Sequence, residues 1–139
     1  MLTIIFEAHG TTYDNEAHLA SGHNDIALSS LGIQQSKEMG ERYKDDHFDV
    51  IFCSDLQRAV EKPKRIDTPF PGGESYTQTT ARMKNFIDEV KTKYDGKRIM
   101  IIGHRATQFG LENVINGVPL LKLTSTHFKW QPGWKYEVR

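Results

Sequence analysis

Two histidines and an arginine follow apolar segments of the sequence, in positions from which they could bind an anion. His9 and His104 come shortly after the segments LTIIF and RIMII, and Arg58 lies in the polar turn after a third such segment. If these segments are parallel strands, their carboxyl ends meet at one edge of a sheet, beside helix N-termini that favour anions. Two imidazoles and a guanidinium at such an edge indicate a phosphate site.

The apolar pattern predicts the fold that would supply this edge. Short β-branched and aromatic runs predict buried strands at residues 2–6, 48–53 and 98–102. Ser29 and Ser75 are expected to cap helices over 30–43 and 76–94, a further helix covers 106–115, and another carries Arg58. Strands that alternate with helices predict an α/β fold, a three-layer sandwich with a mostly parallel central sheet and helices on both faces.

Details of these elements can be predicted as well. Ile33, Met39 and Tyr43 are among the expected inward residues of the helix over 30–43. Residues 128–130 and 134–138 flank a Gln-Pro-Gly turn, which predicts a strand pair, and both tryptophans, Trp130 and Trp134, are expected to pack at its edge.

Composition limits the functional classes. The 139 residues suit one domain, and equal numbers of basic and acidic residues (18 each) give no net field for nucleic acid or an anionic membrane. We expect no signal peptide, and the apolar runs are too short to predict a membrane span. Cys53 is the single cysteine, expected to be a buried structural thiol in a cytoplasmic protein.

Five sequence blocks resemble, in order, the signatures of the histidine phosphatase (phosphoglycerate mutase-like) superfamily. They are AHGTTYDN, GHNDIALSSLGIQQ, SDLQRA, PGGES and IIGH, and they span nearly the whole chain. The second block carries the spacing G-x-x-D-x-x-L-[ST]-x-x-G-x-x-Q from Gly22 to Gln35, which is quite specific.

The resemblance implies roles for individual residues. His9 would accept the phosphoryl group, Arg58 would bind it, His104 would hydrogen-bond it, and Asn15 and Gly10 would contact its oxygens. A neutral imidazole is nucleophilic near neutral pH, and an arginine can bind two phosphoryl oxygens at once.

One departure from the family pattern lies beside the nucleophile. The family's arginine before the histidine is Ala8 here, and its loss could cost roughly 2–4 kcal/mol of transition-state stabilisation. Arg105, directly after His104, could restore the charge or could be a surface ion pair. Glu7 would repel an anionic substrate unless it is protonated or turned away.

A second departure concerns the general acid. The block that supplies the family's catalytic glutamate is not in this chain, and its place coincides with the proline-rich, charged residues 60–71. The chain is expected to form a single domain over residues 1–139. Residues 60–71 are expected to be either a loop or a join at which a longer segment is absent. Glu74 is the nearest replacement as general acid, although hydrogen bonding near a helix start suits it better.

The remaining histidines give no reason to expect a metal. His18, His23, His47 and His127 belong to none of the blocks, so surface positions are expected, and no H-x-x-x-H spacing occurs. We expect no metal or other cofactor.

The sequence therefore predicts a phosphomonoester hydrolase that forms a phosphohistidine on His9. Two alternatives stay open, namely a mutase of the phosphoglycerate mutase type and a catalytically weak phosphate- or protein-binding module. The expected partner is a phosphorylated small-molecule substrate, with no nucleic acid or membrane, and the protein is expected to be a monomer or homodimer. The sequence does not name the substrate.

Overall fold

The computed structural model describes residues 1–17, 26–53, 66–67, 69, 73–126 and 129–139. Within these ranges it contains strands β1 to β4 and helices α1 to α5. The strands are β1 Leu2–Ala8, β2 Val50–Cys53, β3 Arg98–Gly103 and β4 Trp134–Val138. The helices are α1 Tyr13–Glu16, α2 Ser30–Tyr43, α3 Tyr76–Lys93, α4 Arg105–Asn116 and α5 Leu120–Ser125.

The four strands form one mixed sheet in the order β2-β3-β1-β4. Strand β3 pairs in parallel with both β1 and β2, whereas β4 pairs antiparallel with β1. The predicted α/β fold with a mostly parallel sheet is confirmed. The parallel strands β1 and β3 end at the same edge of the sheet, as predicted.

The larger part of the core lies on the face covered by α3 and α4. Side chains alternate along a strand, so every second residue of β1 and β3 points to this face. The α3 side chains Met83, Ile87 and Val90 are buried against them. The strand and α4 residues of this cluster are Leu2, Ile4, Phe6, Ile99, Ile101 and Leu111.

Helix α2 covers the opposite face, where Ile5 and Met100 are buried. Of its predicted inward residues, Met39 and Tyr43 are half-buried, but Ile33 is 48% exposed. The prediction for Ile33 is wrong because Gly32 is the buried residue at this end of α2. The helix approaches its neighbours through a glycine, so the adjacent isoleucine points outward.

Both predicted N-caps are confirmed. The Ser29 hydroxyl accepts a hydrogen bond from the Gly32 amide at 3.2 Å, and the Ser75 hydroxyl accepts one from the Gln78 amide at 3.1 Å. Gln78 in turn accepts from the Ser75 amide at 2.8 Å, which completes a capping box. The two long helices therefore begin at the residues that their sequences specify.

The predicted C-terminal strand pair is wrong. Strand β4 pairs with β1 across the sheet, and Lys129 and Trp130 lie outside any strand. Trp134 packs on Phe6 with ring centroids 5.6 Å apart, as expected, but Trp130 is 56% exposed. Pairing with β1 supplies hydrogen-bond partners for the backbone of β4 and buries more apolar surface than a local hairpin would.

Cys53 is exposed, so the prediction of a buried thiol is wrong. It ends β2, the edge strand, whose residues alternate between half-buried and exposed. Ile51, on the same face as Cys53, is 54% exposed, whereas Phe52 packs on Phe86 of α3 at 5.1 Å between ring centroids. On its side of the sheet, α2 covers β1 and β3 but not β2.

Two short helices, α1 and α5, were not predicted because they lie in polar or turn-rich sequence. The predicted helix carrying Arg58 lies outside the described residues. Of residues 60–71, the structure describes 66, 67 and 69. Among the helices that the structure describes, none has the length and apolar character needed to cross a membrane.

Candidate active site

His9 and His104 lie together at the carboxyl edge of the sheet. Ala8 at the end of β1 pairs with Gly103 at the end of β3, and the His9 amide donates to the Gly103 carbonyl at 3.1 Å. The imidazole centroids are 4.6 Å apart with the ring planes at 65°. His104 is buried and His9 half-buried. This spacing allows both rings to contact one phosphoryl group.

The His9 ring is oriented by its own loop. Its Nδ1 lies 2.6 Å from the carbonyl oxygen of Gly10. Because a carbonyl only accepts hydrogen bonds, Nδ1 carries the proton. The lone pair of the neutral ring is then on Nε2, which is the nitrogen available for nucleophilic attack.

The start of α2 fixes the loop that carries His9. The amide and hydroxyl of Thr11 both donate to Oε1 of Gln35 at 2.8 Å. The Thr11 carbonyl accepts from the amide of Ser29 at 3.0 Å and from its hydroxyl at 3.2 Å. Sequence reasoning did not assign this positioning role, although the fixed Ser-x-x-Gly-x-x-Gln spacing placed these residues on one side of a helix.

Two glycines allow the same loop to approach α2. A Cβ on Gly10 would lie 2.5 Å from the carbonyl oxygen of Gly32, and a Cβ on Gly32 would overlap the backbone of Thr11. Gly10, one of the predicted phosphate contacts, is therefore buried against the helix. Any contact it makes to a ligand comes from its backbone.

Asn15, another predicted phosphate contact, lies in α1. Its Oδ1 accepts from the Thr12 amide at 3.0 Å, and the Thr12 hydroxyl accepts from the Asn15 amide at 3.2 Å. This capping box holds Asn15 in an exposed position. The interaction engages its oxygen and leaves the Nδ2 end for an acceptor.

Glu7 is buried and paired. Its Oε1 accepts from Arg42 at 2.9 Å and from the hydroxyl of Tyr43 at 2.6 Å. Burial, together with the Glu7 carboxylate, raises the pKa of Tyr43. Since side chains alternate along β1, Glu7 faces α2, away from the face of Ala8. Of the two exceptions stated for Glu7, the structure shows the second: the carboxylate is turned away from that face and is paired with Arg42.

Arg105 is half-buried at the start of α4, directly after His104. Its guanidinium lies 5.9 Å from the centroid of the Phe109 ring. Burial lowers the pKa of Arg105 to about 10, so the side chain is cationic at neutral pH. It lines a pocket of about 230 Å³ between α4, α5 and β4. Arg105 directly follows His104, at the start of α4.

Glu74 is held as a carboxylate. It accepts from Nη2 and Nε of Arg82 at 2.9 and 3.1 Å and from the Thr79 hydroxyl at 3.2 Å. The hydrogen bond from Arg82 lowers the pKa of Glu74. A group that is ionised at neutral pH has no proton to give, so this arrangement disfavours Glu74 as the general acid.

Arg58 lies outside the described residues. The same is true of Gly22 and Asp25 of the resemblance block and of His18, His23 and His127. His47 is on the surface, as predicted, with 87% of its side chain exposed. Over the described ranges, no three His, Cys, Asp or Glu side chains form a group that could hold a metal ion.

The fold is that of phosphoglycerate mutase-like α/β phosphatases. A mutant phosphoserine phosphatase from Entamoeba histolytica, solved with phosphoserine, superposes with a TM-score of 0.80 at 18% identity, covering 100% of this chain and 92% of that one. The chain also matches the model of the histidine phosphatase superfamily (branch 1) over residues 4–66 and 61–131. The chain therefore belongs to the histidine phosphatase superfamily and is an enzyme of that class.

Two curated relatives show the range of similar sequences. The uncharacterized phosphatase PhoE of Bacillus subtilis is 26% identical over 152 residues, covering 84% of this chain and 79% of the relative. A 2,3-bisphosphoglycerate-dependent phosphoglycerate mutase of Streptococcus uberis is 36% identical over 63 residues, covering 44% of this chain and 27% of the relative. Both phosphatases and mutases are thus similar to this chain.

Proposed function

We propose that this protein hydrolyses phosphomonoesters through a phosphohistidine on His9. The observation that carries the proposal is the hydrogen bond from His9 Nδ1 to the Gly10 carbonyl at 2.6 Å, beside the ring of His104. The bond leaves Nε2 as the nucleophile. Nε2 attacks phosphorus, the P–O bond to the leaving group breaks, and the leaving oxygen departs with the electron pair.

The second half of the reaction regenerates the enzyme. Water attacks the phosphohistidine and displaces Nε2 as the P–N bond breaks. The proton that water loses to solvent balances the one that the leaving oxygen takes up in the first step. Inorganic phosphate leaves, and His9 returns to its neutral form with Nδ1 still bonded to Gly10. The step needs no oxidant, reductant or second substrate other than water.

Fixed donors stabilise the charge on the phosphoryl oxygens in both steps. His104 is buried beside His9 and suits hydrogen bonding to this group. Arg58, Asn15 and the Gly10 backbone take the same role on the strength of the family resemblance. Arg105 supplies the positive charge that Ala8 lacks.

The finer properties of the reaction follow from these groups. We infer a metal-independent reaction, because an imidazole nucleophile and cationic donors suffice for it. We also infer reduced activity, because Arg105 only partly replaces the donor that is lost at Ala8, and because Glu74 is held ionised. The inferred substrate is a phosphorylated small molecule, and the phosphoserine complex of the similar Entamoeba enzyme supports this class. We infer that the protein is a single domain and acts in the cytoplasm.

Covalent labelling tests the proposal. The full chain is incubated with 32P-labelled phenyl phosphate, quenched in alkali, and digested to locate the label. We expect an acid-labile, alkali-stable phosphohistidine on His9, and His9→Asn should abolish both label and turnover, a loss of at least about 10⁴-fold. His47→Asn is the matched control, since His47 is exposed.

Two outcomes of the labelling experiment would contradict the proposal. A protein that binds inorganic phosphate yet gives no label and no turnover from weakly acidic to neutral pH would be a binding module. Label on a residue other than His9 would show a different nucleophile.

A mutase is the second candidate, favoured by the 36% identity to the Streptococcus uberis mutase over 63 residues. A mutase would form the same phosphohistidine but would pass it to an added hydroxy acid faster than to water. The ratio of transfer to hydrolysis, measured with labelled enzyme and glycerate, separates the two activities.

A further inference from the structure

The first residue of α4 is a cation in a position that does not favour one. Arg105 lies at the helix N-terminus, where the macrodipole opposes a positive charge. Burial opposes the charge as well and lowers the pKa of Arg105 to about 10. An arginine side chain has enough length to turn its charged end into solvent and escape both costs. Because Arg105 stays half-buried instead, other contacts hold its guanidinium.

The same helix starts beside the imidazole pair. Its N-cap is His104, whose ring centroid lies 4.6 Å from that of His9. The N-terminus of a helix favours an anion through its free amides and its dipole. A phosphoryl group on His9 would therefore be favoured by the start of α4 and by a guanidinium held there.

The ring of Phe109 supplies one contact to the guanidinium. Side chains of an α-helix lean toward its N-terminus, so Phe109 reaches back one turn toward Arg105. The guanidinium carbon lies 5.9 Å from the centroid of the ring, within the range of a cation–π interaction. Phe109 is buried, and such interactions are stronger where water is excluded.

Tyr76, the first residue of α3, supports Phe109 from the neighbouring helix. The two rings are T-shaped, with centroids 5.5 Å apart, and both are buried. Burial raises the pKa of Tyr76, and the positive charge of Arg105 opposes that rise, so the guanidinium also acts on the phenol. Phe109 and Tyr76 thus form an aromatic support for Arg105.

Two local features fix this aromatic support in place. The capping box of Ser75 and Gln78 starts α3 at Tyr76. Gly110, next to Phe109, lets α3 approach α4, because a Cβ there would lie 2.6 Å from Cγ of Met83. Neither feature involves Arg105, so the position of the rings does not depend on it.

We propose that Phe109 and Tyr76 are positioning residues, whose rings hold the Arg105 guanidinium at the start of α4 for contact with the phosphoryl group on His9. A phosphoryl dianion there offsets both costs of the cation, its burial and its place at a helix N-terminus. The contact of Arg105 with the phosphoryl group rests on the proposed function, whereas the support of Arg105 rests on the two rings.

A double-mutant cycle tests the aromatic support. Phe109→Leu removes the face of the ring but keeps an apolar side chain, and its effect is compared in the unaltered protein and in the Arg105→Gln background. We expect Phe109→Leu to lower kcat/KM for phenyl phosphate about tenfold in the unaltered protein, but less than about twofold in the Arg105→Gln background. A ring that acts through Arg105 has nothing to position once the guanidinium is gone.

A second variant and a matched control accompany this cycle. Tyr76→Leu leaves Phe109 in place, so its loss should be smaller, about threefold, and should also vanish in the Arg105→Gln background. Phe86→Leu makes the same change in an α3 ring that packs on Phe52, and it should keep kcat/KM in both backgrounds. If urea unfolding shows that Phe109→Leu does not fold, Tyr76→Leu decides the proposal by the same cycle.

Binding of inorganic phosphate supplies a readout that needs no turnover. Its affinity, measured by NMR titration, should fall about tenfold in Phe109→Leu and stay unchanged when Phe109→Leu is added to Arg105→Gln. Equal losses in both backgrounds, no loss in the unaltered protein, or no phosphate binding at all would overturn the aromatic support. If phenyl phosphate leaves no phosphohistidine on His9, the proposed function fails, and the phosphate affinities alone then decide whether the rings position Arg105.

Discussion

Gly32 packs directly against the backbone of Thr11, and a methyl group in place of its hydrogen would overlap the Thr11 carbonyl. Thr11 is two residues from His9, and its carbonyl and amide are both bound by α2. The contact therefore couples the start of a helix to the placement of the proposed nucleophile.

Gly32→Ala is expected to destabilise the fold and to lower activity. The nearest atoms belong to backbone, which cannot move aside as a flexible side chain could, so we expect a cost of about 2–3 kcal/mol. Urea unfolding measures the stability, and kcat/KM for phenyl phosphate measures the displacement of His9.

Gly40→Ala is the matched control in the same helix. A Cβ on Gly40 meets nothing within 4 Å, and alanine is the better helix former. This variant should gain about 0.5–1 kcal/mol and keep its activity. Equal behaviour of the two variants would show that the Gly32 contact does not matter.

Glu7 and Arg42 form a pair whose loss should be costly. Glu7 is almost fully buried, whereas Arg42 is 30% exposed, so the cost should be below that of a fully buried pair. We expect Glu7→Ala to lose about 1–3 kcal/mol and Tyr43→Phe about 1 kcal/mol in urea unfolding. Asp88→Ala, which breaks the exposed pair with Lys84, should change stability by less than about 0.5 kcal/mol.

Glu74→Gln tests the identity of the general acid. Arg82 lowers the pKa of Glu74, so the carboxylate stays ionised across the neutral range. We expect the substitution to leave both the acidic and the basic limb of the pH profile of kcat unchanged. Loss of the basic limb of that profile would contradict this and restore Glu74 as the acid.

The lowered pKa of Glu74 also determines how its contribution to the stability of the fold depends on pH. A carboxyl whose folded pKa lies below its unfolded value of about 4.3 contributes stability above that pH. The contribution is lost as pH falls through the folded pKa. Since both partners are well exposed, the effect is small, and urea unfolding of Glu74→Gln should show less than about 1 kcal/mol.

Much of the fold could be predicted because its local signals agree with the tertiary structure. Ser29 and Ser75 are residues that favour the N-cap position locally, and the apolar runs of β1 and β3 are buried on both faces. The position of β4 could not be predicted, since its partner β1 is distant in sequence and a nearby hairpin fitted the same pattern. Cys53 was misplaced because an edge strand and a central strand have the same apolar composition.

The imidazole pair could be predicted from topology, because parallel strands end at one edge of the sheet. The positioning of Thr11 by Gln35 and the pairing of Glu7 with Arg42 could not. These contacts depend on which helix residue meets which loop atom, and the spacing within α2 does not specify its partner.

Arg105 is expected to supply the charge that Ala8 lacks, so its removal should be severe. Arg105→Ala should lower kcat/KM for phenyl phosphate by about 10²-fold, the value of one charged donor in a transition state. Arg105→Lys keeps the charge but not the planar fork, and should recover only part of the rate.

The decisive variant is Ala8→Arg in the Arg105→Ala background. If the two positions serve the same phosphoryl oxygens, this double variant restores activity, whereas Ala8→Arg alone has a modest effect. A chain in which Arg105→Ala is fully active, while Ala8→Arg alone raises kcat/KM by two orders of magnitude, would show instead that the charge at position 8 was lost without replacement.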